Sequence, residues 1–187
     1  MKKIISLILV ILFMVSCAYS LSSCGNLNLP SIPKGYKRYH NGYISFCYPD
    51  GWQRMVSGIY DLIKCPTGNG NNILVTYEDE TDDEDYTPSY SYSYDGNMLK
   101  ICLGGSTIKL ADFSVTEGVV NDTKIVKLSY YVGESQPNVR RLRQNIIITT
   151  VEERTFMVII SEIDYDDDLA DTIVNTFCAD RSVLNYV

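Results

Sequence analysis

Six cysteines carry most of the chemistry that this sequence can support. Four of them lie in the body of the chain, where an exported protein can pair an even set of cysteines into two disulfides by any of three connectivities. The alternative is that all four are buried free thiols. Zinc fits them poorly, because the sequence has no C-x-x-C pair and only one histidine, His40. The candidate disulfide cysteines are Cys47, Cys65, Cys102 and Cys178.

His40 is also the one side chain that could act as an ordinary general base near neutral pH. It stands beside an Asn41-Gly42 turn with no evident catalytic partner, so we interpret it as a surface histidine. The segment LGGST at 103–107 lacks the spacing of a nucleophile elbow and is interpreted as a turn. The sequence contains no phosphate-binding loop, zinc-protease motif or EF-hand. We therefore expect no catalytic residue, no cofactor and no enzymatic activity.

An acidic run at 78–85 places seven carboxylates in eight residues. Like charges at this density repel one another, so the sequence predicts an extended, solvated loop. Its oxygens could attract calcium or magnesium, and Asp82, Asp83 and Asp85 are the weak candidates for metal ligands. Tight binding needs six to eight oxygens in a fixed geometry, which this run does not specify. We therefore predict weak, unselective binding of calcium and magnesium rather than a dedicated metal site. The loop is expected to act as a solvated shield or as a docking strip for a basic partner.

The other two cysteines, Cys17 and Cys24, follow a leader with two lysines and a mostly apolar stretch from Ile4 to Val15. Twelve helical residues span only about 18 Å of a roughly 30 Å hydrocarbon core, so a secretory signal is favoured over a transmembrane helix. The sequence LSSC at 21–24 resembles a bacterial lipobox, in which the cysteine thiol receives diacylglycerol. We predict a signal peptide over residues 1–23 and a Cys24 anchor bearing fatty acyl chains such as palmitate. Cys17 is the alternative anchor, and a plain secreted protein that loses both cysteines is the third possibility.

Composition limits the partners that the mature protein could have. Removing the first 23 of 187 residues leaves 164, enough for one domain with a hydrophobic core. The formal net charge of −7 becomes −9 once Lys2 and Lys3 are lost. An acidic surface argues against nucleic acid and against electrostatic docking on anionic lipid, so the acyl chains must hold the protein at the membrane. Residues 24–35, with two prolines, are predicted to form a tether.

The remaining pattern predicts mainly strands. Segments 43–52, 71–79, 106–118 and 122–133 have β-rich composition, and the segment from 139 to 163 predicts a long hairpin that turns at Glu152-Glu153. The inner halves of that hairpin are apolar on both faces, which indicates layers on both sides of a sheet. A closing helix is predicted from 164 to 180, with acids in its first turn and apolar residues at helical spacing. Residues 87–102 are compatible with either a strand or a short helix.

The segment SFCYPDGW ends a strand at a proline and places Trp52 just beyond the turn. We interpret Trp52 as a packing residue that folds back on the core, with a ligand groove as the alternative.

The motif SFCYPDGW, with NILVTYE at 72–78 and the closing helix, resembles the PsbP-like family, which includes a photosystem II extrinsic subunit and bacterial lipoproteins related to DcrB. The resemblance covers residues 36–180 and leaves 181–187 as a tail. It implies an α+β fold, a three-layer α/β/α sandwich around a central antiparallel sheet.

These observations predict a location and a binding role for the protein, and they predict no chemical reaction. We expect a lipid-anchored, extracytoplasmic lipoprotein in the cell membrane or outer membrane. Its expected function is to bind or stabilise another envelope component, with an envelope protein as the partner. The alternative is an extracytoplasmic lipoprotein that binds a metal or a small ligand. No nucleic-acid partner is expected.

Overall fold

The computed structural model describes residues 29–58, 60–68, 70–79, 90–95, 97–103, 106–110, 112–132, 142–163 and 167–179. Thirteen strands and one helix lie in these ranges. In chain order they are β1 Tyr36–His40, β2 Ile44–Pro49, β3 Gln53–Val56, β4 Tyr60–Lys64, β5 Asn72–Asp79, β6 Tyr90–Tyr94, β7 Leu99–Leu103, β8 Ser106–Leu110, β9 Phe113–Val120, β10 Thr123–Val132, β11 Leu142–Val151, β12 Arg154–Glu162, α1 Asp167–Thr176 and β13 Cys178–Ala179.

The strands form three antiparallel sheets. The central sheet has seven strands in the order β3-β4-β5-β12-β11-β10-β9. The amino-terminal sheet has the order β1-β2-β13, and the covering sheet has the order β6-β7-β8. Within the described residues, no helix is both long enough and apolar enough to cross a membrane.

The central strands β11 and β12 are buried on both faces, as their apolar sequences predict. Because side chains alternate along a strand, neighbouring isoleucines enter different cores. Ile160 belongs to the first core, which also contains Phe46 of β2 and Ile173 of α1. Ile159 belongs to the second core, where it packs with Leu99 and Ile101 of the covering sheet. The central sheet therefore separates two hydrophobic cores.

The predicted α/β/α sandwich is wrong. One face of the central sheet is covered by three strands rather than by a helical layer, and the other face is covered by the amino-terminal sheet together with the short helix α1. The reason lies in β6 and β7, most of whose residues belong to the segment 87–102 that the sequence left open between helix and strand. There Leu99 and Ile101 face the second core, while Lys100 between them is exposed, which is the two-residue period of a strand.

Several other predictions about elements are confirmed. The hairpin of β11 and β12 turns at Glu152-Glu153, and α1 buries Leu169 and Ile173.

The predicted strand 106–118 is instead divided into two strands, because β8 belongs to the covering sheet and β9 forms an edge of the central sheet. The PDGW turn is present, with the Trp52 amide donating to the Pro49 carbonyl over 3.0 Å.

Candidate functional site

A cleft of roughly 160 Å³ opens at one end of the central sheet, beneath the turn that joins β1 to β2. Its walls come from the ends of strands that are distant in sequence. Strand β1 contributes Tyr39, the turn after it contributes Tyr43, and the central sheet contributes residues from β4, β5 and β12. The tyrosines and the charged residues that line the cleft are Tyr39, Tyr43, Tyr60, Asp61, Tyr77 and Arg154.

Strand pairing brings the aromatic side chains of the cleft together. Tyr77 near the end of β5 is directly opposite Phe156 of β12, and their ring centroids are 5.6 Å apart. Tyr43 contacts the same phenylalanine, with 5.4 Å between centroids. The Arg154 guanidinium lies over both tyrosines, 4.8 Å from the Tyr43 centroid and 5.2 Å from the Tyr77 centroid. Such cation–π contacts contribute about 0.5–1 kcal/mol each at exposed sites, so they orient the arginine in the wall of the cleft.

The carboxylate of Asp61 forms the floor of the cleft and is only 8 % exposed. The Tyr39 hydroxyl donates to it over 2.8 Å, and Arg54 both donates to it through Nε over 3.2 Å and forms an ion pair with it. The Arg54 guanidinium also lies 4.6 Å from the centre of the Tyr39 ring. A buried carboxylate requires such partners, since an uncompensated charge would be costly.

Burial raises the pKa of Tyr39 well above its usual range, and the hydrogen bond to Asp61 raises it further. The hydroxyl is therefore protonated throughout the physiological range and serves as a fixed donor. Asn41, on the rim, accepts hydrogen bonds from the amides of Tyr43 and Ile44 through its side-chain oxygen. Neither histidine nor cysteine is among the residues that line this cleft. The arrangement suits binding better than proton transfer or nucleophilic attack.

His40 lies next to Tyr39 on β1, and neighbouring residues on a strand face opposite sides, so its ring points away from the cleft floor. Its Nε2 atom is buried without a hydrogen-bond partner in the described part of the chain. Burial of the ring lowers the pKa of His40, and the charges of Arg54 and Arg38 lower it further. The histidine is thus neutral at pH 7, and among the described residues the charges that act on its pKa are those of arginines rather than of a carboxylate.

The residues singled out from the sequence do not come together in this cleft. Trp52 packs, partly buried, against the first core and is not among the residues that line the cleft. Cys47 is a buried free thiol and Cys178 is also buried. Cys65 is a partly exposed free thiol whose sulfur lies 3.1 Å from the Thr67 hydroxyl oxygen. The side chain of Cys102 is outside the described part of the structure. Whether the four cysteines pair in disulfides remains a question for experiment.

Other predicted sites also lie outside the described residues. These are the acylation candidates Cys17 and Cys24 and the carboxylates Asp82, Asp83 and Asp85. Within the described ranges, no three histidine, cysteine, aspartate or glutamate side chains gather as metal ligands would. The lipid anchor and the weak binding of calcium or magnesium remain predictions.

Sequence reasoning missed the residues that line the cleft. Tyr39, Asp61 and Arg154 are separated by up to 115 positions and meet only through the pairing of sheets. The available signal was compositional, because fifteen tyrosines in 187 residues exceed what a core needs and tyrosine is frequent at binding surfaces. That signal does not indicate which tyrosines share a site.

No family model matches the chain, and no curated protein matches it. Among solved structures, the chain is similar to the solution structure of cyanobacterial PsbP (CyanoP) from Synechocystis sp. PCC 6803. The two are 15 % identical, the match covers 84 % of this chain and 98 % of that one, and the TM-score is 0.49. A crystal structure from Bacteroides thetaiotaomicron VPI-5482 is also 15 % identical, with 78 % of this chain and 49 % of that one covered and a TM-score of 0.37. No residue role is carried over to this chain from either protein.

Proposed function

We propose that this protein is a lipid-anchored, extracytoplasmic, non-enzymatic module that binds or stabilises another protein of the cell envelope. The observation that carries the proposal is the cleft beside edge strand β3, where Val56 and Met55 are exposed apolar residues and Tyr60 is partly exposed. Exposed apolar side chains that lie close together with polar residues beside them are typical of protein interaction sites. The leader and its Cys24 supply the predicted location.

The size of the cleft favours a partner side chain over a large ligand. Pockets for drug-sized ligands occupy about 300–1,000 Å³. A cleft of roughly 160 Å³ is smaller than that range and has room for one side chain of a protein. A small ligand of the same size is the alternative function, and the same cleft is the observation that favours it.

Site-specific photo-crosslinking tests the proposal. A benzophenone amino acid replaces Val56, which is 74 % exposed beside the cleft, in the full chain expressed in a bacterial host with its leader. The matched control replaces Val119, which is 64 % exposed on β9 at the opposite edge of the central sheet. We expect position 56 to crosslink one envelope protein that position 119 does not reach.

Identical crosslinking patterns from both positions would contradict the proposed docking surface. A change in thermal stability with one small metabolite, in the absence of any specific crosslink, would favour the small-ligand alternative.

The membrane anchor is tested separately by fractionation. Cys24→Ala should move the protein from the membrane fraction to the soluble fraction or leave the leader uncut, whereas Cys17→Ala should leave the protein with the membrane. The reverse result would make Cys17 the acylated residue. Retention of both variants in the membrane fraction with normal processing would contradict acylation at either cysteine.

A further inference from the structure

We propose that the outer edge of β9 pairs with the same strand of a second copy of this chain, so that the central sheets of two molecules join across a two-fold axis. This edge is separate from the cleft, and pairing there does not depend on the envelope partner. Three properties of β9 support the pairing. Its outer edge is open, it lacks most of the features that block edge pairing, and its residues match those of its own copy in the antiparallel direction.

The outer edge of β9 is open because β9 is the last strand of the central sheet, and among the described residues no other strand pairs with that edge. Successive residues of an antiparallel strand direct their backbone groups to opposite sides. Val120 and Thr123 flank the two-residue turn of the β9–β10 hairpin and form its closing hydrogen-bonded pair. Counting back from this pair, the residues whose backbone groups point outward are Phe113, Val115, Glu117 and Val119.

A side-chain contact on β10 supports this assignment. The Thr149 hydroxyl of β11 donates to the Lys124 carbonyl over 2.8 Å, so this carbonyl points toward β11 rather than toward β9. Lys124 is directly opposite Val119. Two opposed residues either exchange both hydrogen bonds or direct their backbone groups away from each other. The backbone groups of Val119 therefore point to the open edge.

β9 lacks most of the features with which soluble proteins protect an exposed edge, such as lysine, proline, a bulge or a very short strand. The strand contains neither lysine nor proline, and its register with β10 continues without a bulge from Phe113 to Val120. It has eight residues, whereas β3 at the other edge of the sheet has four. Its one charged residue is Glu117.

Glu117 also selects the register of the pairing. In the register that pairs all four outward residues, Glu117 is opposite Val115 of the second copy and Val119 is opposite Phe113 of the second copy. Every other register pairs fewer of these residues. A shift of two residues toward the turn would also set Glu117 opposite its own copy, where like charges destabilise a cross-strand pair.

The side chains on both faces of β9 match in this register. Val119 is 64 % exposed and meets the half-buried Phe113, which is a favourable cross-strand combination of a β-branched and an aromatic residue. On the other face, Thr116 meets its own copy at the two-fold axis, and Ser114 meets Gly118. A Cβ added at Gly118 would have no described atom within 4 Å, so the approach of the second strand is unobstructed there.

Cysteine pairing tests this register in the full chain, expressed in a bacterial host with its leader and treated with a mild oxidant. Opposed residues of a non-hydrogen-bonded antiparallel pair have Cα atoms about 4.5 Å apart, within the range of about 4.4–6.8 Å that a disulfide requires. Thr116→Cys should therefore give a disulfide-linked dimer. Ser114→Cys is the matched control on the same face, because residue 114 of the second copy is more than about 13 Å away. The unsubstituted chain reports any disulfide made by its six native cysteines.

We expect the dimer yield to be at least about tenfold higher for Thr116→Cys than for Ser114→Cys. Equal yields from the two variants would show collisions without a fixed register and would overturn the proposal. Absence of a dimer from Thr116→Cys with a native melting temperature would overturn it as well.

Val119→Pro, combined with Thr116→Cys, tests the backbone hydrogen bonds. Because the Val119 amide points to the open edge, proline there removes a donor to the second copy without removing a bond to β10, as proline does at edge positions. The symmetric dimer loses this bond twice, so the dimer yield should fall at least about fivefold. An unchanged yield would contradict strand pairing at this edge.

Photo-crosslinking at position 119 identifies the molecule that occupies the edge. The benzophenone amino acid there should give a product with twice the mass of the chain, linked near Phe113 of the second copy. A product that contains a different protein would show that the assignment to a second copy is wrong. The crosslink from position 56 reports the envelope partner separately, so a failure at one surface is distinguishable from a failure at the other.

Discussion

Tyr39 and Asp61 stabilise each other in the protein interior, because the tyrosine hydroxyl donates a hydrogen bond that the aspartate carboxylate accepts. The tyrosine is 1 % exposed and its hydroxyl donates to the Asp61 carboxylate, while Arg54 supplies the opposite charge. A hydrogen bond to a charged group contributes more to stability than a typical hydrogen bond between neutral groups. This group of three residues holds the amino-terminal sheet to β3 and β4 and fixes the floor of the cleft.

Tyr39→Phe should therefore destabilise the protein by about 1–3 kcal/mol, because the carboxylate loses one donor and remains buried. The measurement is urea unfolding followed by circular dichroism. Tyr36→Phe is the matched control on the same strand, where the ring packs partly buried on the first core. Its expected loss is below about 0.5 kcal/mol. Equal losses in the two variants would mean that the Tyr39 hydroxyl contributes little.

The lowered pKa of His40 predicts that the free energy of unfolding depends on pH. Its pKa in the folded protein is below the ordinary value of 6.5, chiefly because the ring is buried. As the pH falls from 6.5 toward the folded pKa, the unfolded chain binds the proton and the folded chain does not. Stability therefore decreases over this window.

His40→Gln should remove that decrease, since glutamine does not titrate. Because His40 is the only histidine of the chain, unfolding free energies measured between pH 7.5 and 5.5 isolate its contribution. As the pH falls, the free energies of unfolding of the wild type and the variant should converge if the variant is the less stable at pH 7.5. If the two begin equal, they should diverge, with the variant the more stable at pH 5.5. Parallel profiles over the whole window would show that the pKa of His40 is not lowered by folding.

At the scale of elements, two tight turns of the central sheet place residues other than glycine at positive φ. Glu152 and Glu153 join β11 to β12 with φ of 52° and 61°, and Asn121 and Asp122 join β9 to β10 with φ of 45° and 62°. Two positive φ values define the type I′ turn, which matches the twist of the flanking strands. Asparagine and aspartate tolerate this conformation better than glutamate does.

Asn121 has a second role at its turn. Its side-chain nitrogen donates to the carbonyls of Asn175 and Phe177, over 3.0 Å and 2.8 Å. These contacts satisfy carbonyl groups at the end of α1, where the helix itself provides no partners. The turn between β9 and β10 therefore anchors the helix that covers the first core.

Glu153→Gly should stabilise the protein by about 0.5–1 kcal/mol, because glycine relieves the left-handed strain at a cost in unfolded-state entropy that only partly offsets it. Thermal and urea unfolding measure the change. Glu117→Gly is the control, since Glu117 is an exposed strand residue on β9, and it should lose about 0.5–1 kcal/mol. A loss of stability in Glu153→Gly would show that the glutamate makes contacts that outweigh the strain.

At the scale of the whole molecule, the two cores share the strands of the central sheet. Ile159 and Ile160 are adjacent on β12, are 4 % and 0 % exposed, and enter opposite cores. Loss of packing in either core therefore weakens the same hydrogen-bonded strands. We expect the covering sheet and the first core to unfold as one unit.

Ile159→Ala and Ile160→Ala should each cost about 2–5 kcal/mol and should each leave a single unfolding transition. Trp52 is the only tryptophan and packs on the first core, so its fluorescence reports that core. Far-ultraviolet circular dichroism reports all three sheets. If Ile159→Ala separates the dichroism transition from the fluorescence transition, the covering sheet unfolds independently and the prediction of one unit is wrong.

Local pattern alone determined several features of this protein. The apolar runs of β11 and β12 indicated a sheet that is buried on both faces, and the spacing of Leu169 and Ile173 indicated the closing helix. These predictions succeeded because each depends on side chains within one element, whose period reports which faces meet the core.

Only the tertiary structure decided the nature of the covering layer and the composition of the cleft. Leu99 and Ile101 face the core in a segment too short for its period to exclude a helix, and it was the pairing of β6, β7 and β8 that selected strands. The cleft unites Tyr39, Asp61 and Arg154 from three strands that are distant in sequence. Their proximity results from sheet order and register, which depend on long-range contacts that no local sequence period encodes.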